Sequence, residues 1–179
     1  SEPNSSIRVT TKWDGAPAIV CGTDPITGYF FVGTKSVFNK TTPKIMYTQK
    51  QIFDSYDNQP AVAKILSYCL KYFPSLGISG VVQGDFLFTS ESKSRKSIGG
   101  EECISFQPNT ITYAVPIGTP MAKMVDKAKI GIVFHTRYSG DSLSEMSAIF
   151  GVPTINSTDD VAVFSSTFTD ASDAAKMNQ

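Results

Sequence analysis

At 179 residues the chain has the length of one domain with a sizeable core, and a single domain over 1–179 is the expectation. Its 16 Lys and Arg balance 16 Asp and Glu, so no global charge draws it to nucleic acid, and any such binding must come from a local patch. No apolar run is long enough to span a bilayer and no secretory leader is visible, so no membrane partner is expected and the cytoplasm is the expected location.

Cys21, Cys69 and Cys103 are odd in number and far apart, without a Cys-x-x-Cys pair. Buried thiols in a reducing compartment are expected, not a zinc site or a disulfide framework. The opening Ser-Glu-Pro-Asn-Ser-Ser leaves only eleven residues before Lys12, which fits a trimmed piece as readily as a whole protein.

In chain order, Ile7-Arg8-Val9-Thr10-Thr11 alternates and is β-branched, which predicts a strand leading into Lys12. Arg8 and Lys12 then lie on one side of it. Lys12-Trp13-Asp14-Gly15-Ala16-Pro17-Ala18 follows, then the apolar run Ile19-Val20-Cys21. After the turn Asp24-Pro25-Ile26-Thr27-Gly28 comes Tyr29-Phe30-Phe31-Val32-Gly33-Thr34-Lys35-Ser36. Two β-rich runs about a Pro/Gly turn predict a hairpin that brings Lys12 and Lys35 toward one edge. An amine that titrates near neutral pH can act as a nucleophile, and a second cation nearby is one way to lower its pKa.

Val37 to Lys40 is expected to continue the extended run until Thr41-Thr42-Pro43-Lys44 breaks it. Lys35, Lys40 and Lys44 form a basic cluster that could meet phosphates or simply be solvated. Thr48 is expected to cap a helix from Gln49 to Tyr56, and Asn58-Gln59-Pro60 to start a second. Val62, Ile65, Leu66, Cys69, Leu70 and Phe73 form its core-facing stripe, and Pro74 and Gly77 end it.

Gly80 to Thr89 reads as a strand with a Gly84-Asp85 step. Ser90 to Glu102 reads as a mobile basic loop with Lys93, Arg95 and Lys96. A second hairpin is expected across Gln107-Pro108-Asn109, then a short helix capped by Thr119. A strand over Gly131-Ile132-Val133-Phe134 leads into His135-Thr136-Arg137. The tail carries a short helix signal at 141–146 and a strand over 161–166.

Lys12-Trp13-Asp14-Gly15 resembles the Lys-x-Asp-Gly signature of covalent nucleotidyltransferases: ATP-dependent DNA ligases, RNA ligases and mRNA-capping enzymes. The phage RNA-ligase branch is nearest, because there too the signature runs through a short hairpin into a Lys-Ser or Lys-Gly element, as Gly33-Thr34-Lys35-Ser36 does. The chain is also similar to tailed-phage proteins containing Lys-Trp-Asp-Gly-x-Pro-Ala and Gly-Thr-Lys-Ser-Val-Phe. The likeness covers Lys12 to Ser36 well, Val81 to Phe88 in part and Ile130 to Arg137 loosely.

The resemblance implies an α+β fold of antiparallel sheets with packed helices, an ATP-grasp-like ligase adenylation domain. It also implies ATP and Mg²⁺ as cofactors, and a nucleotide with RNA or DNA ends as partners. If the protein is phage-encoded, its place is the host cytoplasm. Lys12 would be the nucleophile, with Asp14, Lys35 and Arg137 acting beside it. Gly15, Asp85 and His135 would join Lys12, Lys35 and Arg137 in holding the nucleotide, and Asp85 would hold the metal.

Two departures stand out. Asp85 replaces the family's Glu, and His135-Thr136-Arg137 occupies the place of Lys-x-Lys. Lys127-Ala128-Lys129 has the literal spacing but precedes the strand. Two other readings use the same residues: a nucleotide- or nucleic-acid-binding protein without transfer, and a structural protein in which Lys12 to Gly15 is only a turn.

Overall fold

The computed structural model describes residues 6–7, 17–109, 112–151, 153–165 and 175–177. The fold is α+β. Its strands are β1 (Ser6–Ile7), β2 (Ala18–Thr23), β3 (Phe30–Gly33), β4 (Val81–Thr89), β5 (Ser94–Ile98), β6 (Glu101–Phe106), β7 (Tyr113–Pro116), β8 (Ile130–Ser139), β9 (Ser147–Ile149), β10 (Val161–Ser165) and β11 (Ala175–Met177). The α-helices are α1 (Gln49–Ser55), α2 (Pro60–Tyr72) and α3 (Pro120–Lys127). The chain gathers into two compact units. One comprises the described parts of Ser1–Pro17, Asp85–Val133 and Thr154–Gln179; the other comprises Ala18–Gly84 and Phe134–Pro153.

In the first unit the strand order is β1-β11-β10-β8, with β4 beside β8, and a separate sheet runs β5-β6-β7. Most pairings are antiparallel, but β10 runs parallel to β8, from Val161 opposite Ile130 to Phe164 opposite Val133. Aromatic side chains fill the core. The Phe88 and Phe106 rings lie 4.8 Å apart, and Phe106 stacks on Tyr113 at 5.7 Å. Each such ring, fully buried, stabilises the fold by about 1.5–3 kcal/mol.

Helix α3 closes over this core with Met121, Ala122 and Val125, which recur at helical spacing. It begins where expected: the Thr119 hydroxyl accepts the Ala122 amide and proline follows at the first helical position.

The stretch read as a mobile basic loop is a strand instead. Ser94–Ile98 pairs with Glu101–Phe106 through a two-residue turn, Gly99-Gly100, both at positive φ. Two consecutive left-handed residues suit the tight hairpin turn, and two glycines supply them without a Cβ clash. Polar composition concealed the strand because its side chains are almost all exposed.

In the second unit the order is β8-β4-β2-β3, with β9 against the far end of β8. The hairpin predicted from the two apolar runs is present: β2 and β3 pair from Val20 opposite Gly33 to Thr23 opposite Phe30. Its turn is held by Asp24, whose carboxylate accepts the Ile26 amide at 2.8 Å.

Helix α1 opens on a full capping box between Thr48 and Gln51. Helix α2 starts on Pro60 and buries Ala63, Leu66 and Cys69, a stripe completed by Phe73, whose ring meets Phe134 at 5.7 Å. Ala63 belongs to this stripe as much as the larger residues do.

Val37 to Lys40 does not extend β3. Lys35–Phe38 is a 3-10 helix, because the Thr34 hydroxyl captures the Ser36 amide and turns the chain at once. Val37 is thereby buried with Val20, Phe31, Val81 and Leu143. The helix signal at 141–146 shrinks to one 3-10 turn, Leu143–Glu145. All three cysteines are buried.

Candidate functional site

Lys12, Asp14 and Gly15 lie outside the described residues, as does Arg8. What is described is the chain leaving that stretch. The Pro17 carbonyl accepts the Phe86 amide at 2.8 Å, so the exit from the Lys12 segment is tied to β4 immediately after Asp85. Asp85 is half-buried on β4 in the same unit.

At the other end of the hairpin, Lys35 opens the 3-10 helix and is exposed. The pairing of Val20 with Gly33 sets the start of β2 beside the end of β3, while the expected approach of Lys12 to Lys35 falls outside the described residues.

His135 and Arg137 sit two residues apart on β8 in the second unit with Lys35. His135 is half-buried, with Nδ1 2.8 Å from the Thr136 hydroxyl. Arg137 is exposed, opposite Ile149 of β9. One residue on, Tyr138 packs its ring 4.6 Å from Phe38 of the 3-10 helix and donates its hydroxyl to Gln83 at 2.6 Å. The packing of Phe38 on Tyr138 joins the Lys35 segment to the Arg137 strand. Of the two alternative cations, Lys127 pairs with Asp159 at 2.9 Å.

The lysine cluster disperses. Lys40 Nζ donates to the Ser144 carbonyl, while Lys44 Nζ lies 4.7 Å from the centre of the Tyr56 ring. Lys93 and Arg95 both have partners within the chain. Lys93 Nζ donates to the carbonyls of Val125, Asp126 and Ala128 at 2.7, 2.9 and 2.8 Å, and Arg95 meets Asp126 at 3.5 Å. Burial lowers the Lys93 pKa, against a smaller upward pull from Asp126.

Sequence reasoning missed a cavity of about 370 Å³ beside the Lys35 helix, whose walls include Thr34, Ser36, Asn39, Lys44, Tyr56 and Gln59. Thr34, Ser36, Lys44, Tyr56 and Gln59 were visible in the sequence for other reasons, but nothing marked them as one wall. The two amides come from a loop and a helix start whose meeting no spacing rule encodes.

Among the described residues no group of three or more His, Cys, Asp or Glu converges on a metal position. A single carboxylate such as Asp85 nevertheless suits Mg²⁺, which commonly takes one or two carboxylates and fills its remaining positions with water and phosphate oxygens. No helix among the described residues is long and apolar enough to cross a membrane.

No curated protein and no solved structure matches the chain. One family model does match, and it spans residues 1–179. The chain therefore belongs to the family of unknown function DUF6267.

Proposed function

We propose that the chain is an ATP-dependent covalent nucleotidyltransferase of the RNA/DNA-ligase kind, with an ATP-grasp-like adenylation fold. The observation that carries this reading is the Pro17–Phe86 hydrogen bond. It ties the exit of the Lys-x-Asp-Gly stretch to the strand bearing Asp85, the carboxylate that the resemblance implies beside the nucleotide. Lys35 and Arg137 are both exposed, on elements of one unit.

In the first half-reaction the Lys12 amine attacks the α-phosphorus of ATP. A P–N bond forms, the bond to the bridging oxygen breaks, and pyrophosphate leaves with the electron pair. In the second, an oxygen of a polynucleotide 5′-phosphate attacks the same phosphorus. The P–N bond breaks, and Lys12 recovers its amine while the nucleotide stays on the acceptor through a phosphoanhydride.

Positioning and charge neutralisation carry such a reaction far more than proton transfer does. Lys35, His135 and Arg137 would neutralise phosphate charge, and Asp14 and Gly15 would shape the turn that holds the nucleophile. Asp85 would hold Mg²⁺, which supplies further neutralisation when bound.

The test is incubation with α-labelled ATP and Mg²⁺. The expected result is label on the protein that resists denaturation and is lost in Lys12→Ala. No label on folded wild-type protein with any of the four NTPs would refute the reading.

A second reading is a nucleotide- or nucleic-acid-binding protein without transfer. One observation favours it: where the family carries two lysines, His135 is turned to Thr136 and Arg137 alone supplies a fixed charge. It predicts salt-sensitive binding and no adduct.

A further inference from the structure

Among the described residues, none of those assigned above to nucleotidyl transfer lines the cavity beside the 3-10 helix Lys35–Phe38. Its volume of about 370 Å³ lies in the range of small-ligand sites, roughly 300–1,000 Å³. Among the described residues no carboxylate lines it. The charge on its wall is Lys44, whose Nζ rests 4.7 Å from the Tyr56 ring centre, against an aromatic face and not an acid. That cation is held in place without being neutralised.

The neutral groups are arranged to donate. Thr34 Oγ1 accepts the Ser36 amide at 3.3 Å and lies 2.9 Å from Ser36 Oγ. When Thr34 gives its own proton to Ser36, the Ser36 hydroxyl proton is left for a guest. The side-chain amides of Asn39 and Gln59 add two N–H₂ groups on the same wall.

Tyr56 lines the cavity too. It is 4 % exposed, and its hydroxyl has no hydrogen-bond partner among the described residues.

We propose that this cavity binds a phosphate monoester, with Lys44 Nζ supplying the charge and Ser36, Asn39 and Gln59 the hydrogen bonds. A dianionic group with three oxygens matches one ammonium and several neutral donors in a wall free of carboxylates. The monoester could belong to a nucleoside monophosphate or to the 5′ end of a polynucleotide, which share this chemistry. The inference stands apart from any chemistry at Lys12.

The experiment uses the full chain carrying Lys12→Ala, so that no covalent adduct contributes. Calorimetric titrations with inorganic phosphate, AMP, a 5′-phosphorylated oligonucleotide and its 5′-hydroxyl counterpart are compared. Binding of the phosphate-bearing probes is expected, with the 5′-hydroxyl oligonucleotide at least tenfold weaker than its phosphorylated partner. Both Lys44→Ala and Gln59→Leu, at exposed positions, should cost tenfold or more with the circular dichroism spectrum unchanged.

Tighter binding of AMP identifies the free nucleotide as the source, and tighter binding of the oligonucleotide identifies the chain end. Absence of heat with every phosphate probe, or a loss below tenfold in both variants, overturns the proposal. Label transfer measured on Lys44→Ala with Lys12 intact separates this site from the nucleotidyl-transfer reading. Adduct formation persists there if the cavity is a distinct site, and its disappearance overturns that distinction.

Discussion

The amide of Phe86 donates to the carbonyl of Pro17, and the neighbour of Phe86 on β4 is Asp85. On the proposed reading, this carboxylate, one residue from the anchor of the Lys12 segment, would serve a phosphate-bound metal. Replacing it by its uncharged isostere should therefore slow adduct formation without unfolding the protein. Asp85→Asn is expected to lower the rate of label incorporation about 100-fold, the scale of losing one well-aimed charge in a site of this kind. Asp85→Glu, which places there the residue that the resembled ligases carry, should on this reading retain at least about a tenth of the rate. An Asp85→Asn protein as fast as wild type would remove Asp85 from the mechanism.

Lys93 is a helix cap supplied from outside the helix. Its ammonium meets three carbonyls at the end of α3, where the helix leaves acceptors without intrahelical donors and the dipole favours a cation. Its stem passes close enough for Nζ to lie 5.5 Å from the Phe88 ring. Lys93→Met keeps the stem and deletes the donor, and it should lower the unfolding free energy by about 1–3 kcal/mol. Urea denaturation measures this; Arg95→Met, in an exposed ion pair, should change stability by less than about 1 kcal/mol.

Features written in neighbouring residues were legible: the hairpin about Asp24 to Gly28, the Thr48 and Thr119 caps, the Pro60 helix start and the stripe through Leu66 and Cys69. Features made by distant residues meeting were not. Lys93 reaches a helix end more than thirty positions away, so its neighbours Arg95 and Lys96 made it look like loop charge.

The 3-10 turn at Lys35 was hidden because one side-chain hydroxyl at Thr34 outweighs the β-branched Val37 that follows. Strand β5 was hidden because both of its faces are solvated, which removes the alternation that normally betrays a strand. The cavity wall combines a loop with the start of α2, a juxtaposition that only the fold creates.

Tyr56 offers a test of the cavity that needs no ligand. Its hydroxyl is buried without a partner among the described residues, and such a group costs about 1–3 kcal/mol of desolvation that no described residue offsets. Tyr56→Phe keeps the ring under Lys44 and removes the orphaned oxygen. In buffer lacking phosphate the variant is expected to be more stable than wild type by about 1 kcal/mol, read as a higher urea midpoint at unchanged m-value. A destabilised variant would mean that the hydroxyl is hydrogen-bonded in solution.

Alkaline pH probes the hairpin turn through Tyr47. Its hydroxyl donates to the Asp24 carboxylate, which is itself buried at the turn. Burial first, and the hydrogen bond to Asp24 second, raise the Tyr47 pKa above 10. The folded state thus holds this proton more tightly than the unfolded chain does. Between pH 10 and the raised folded value the native protein binds more protons, so its stability falls as pH rises. Below pH 10 the contribution is fully present.

Tyr138, raised by burial, adds a fall of the same sign. Melting temperature followed from neutral pH upward should stay level in this respect until about pH 10 and then decline. Tyr47→Phe should start about 1 kcal/mol less stable, because the Asp24 carboxylate loses its donor, and should decline less steeply. An alkaline slope identical in wild type and Tyr47→Phe would show that the phenol titrates alike in both states, and would detach the turn from any pH response.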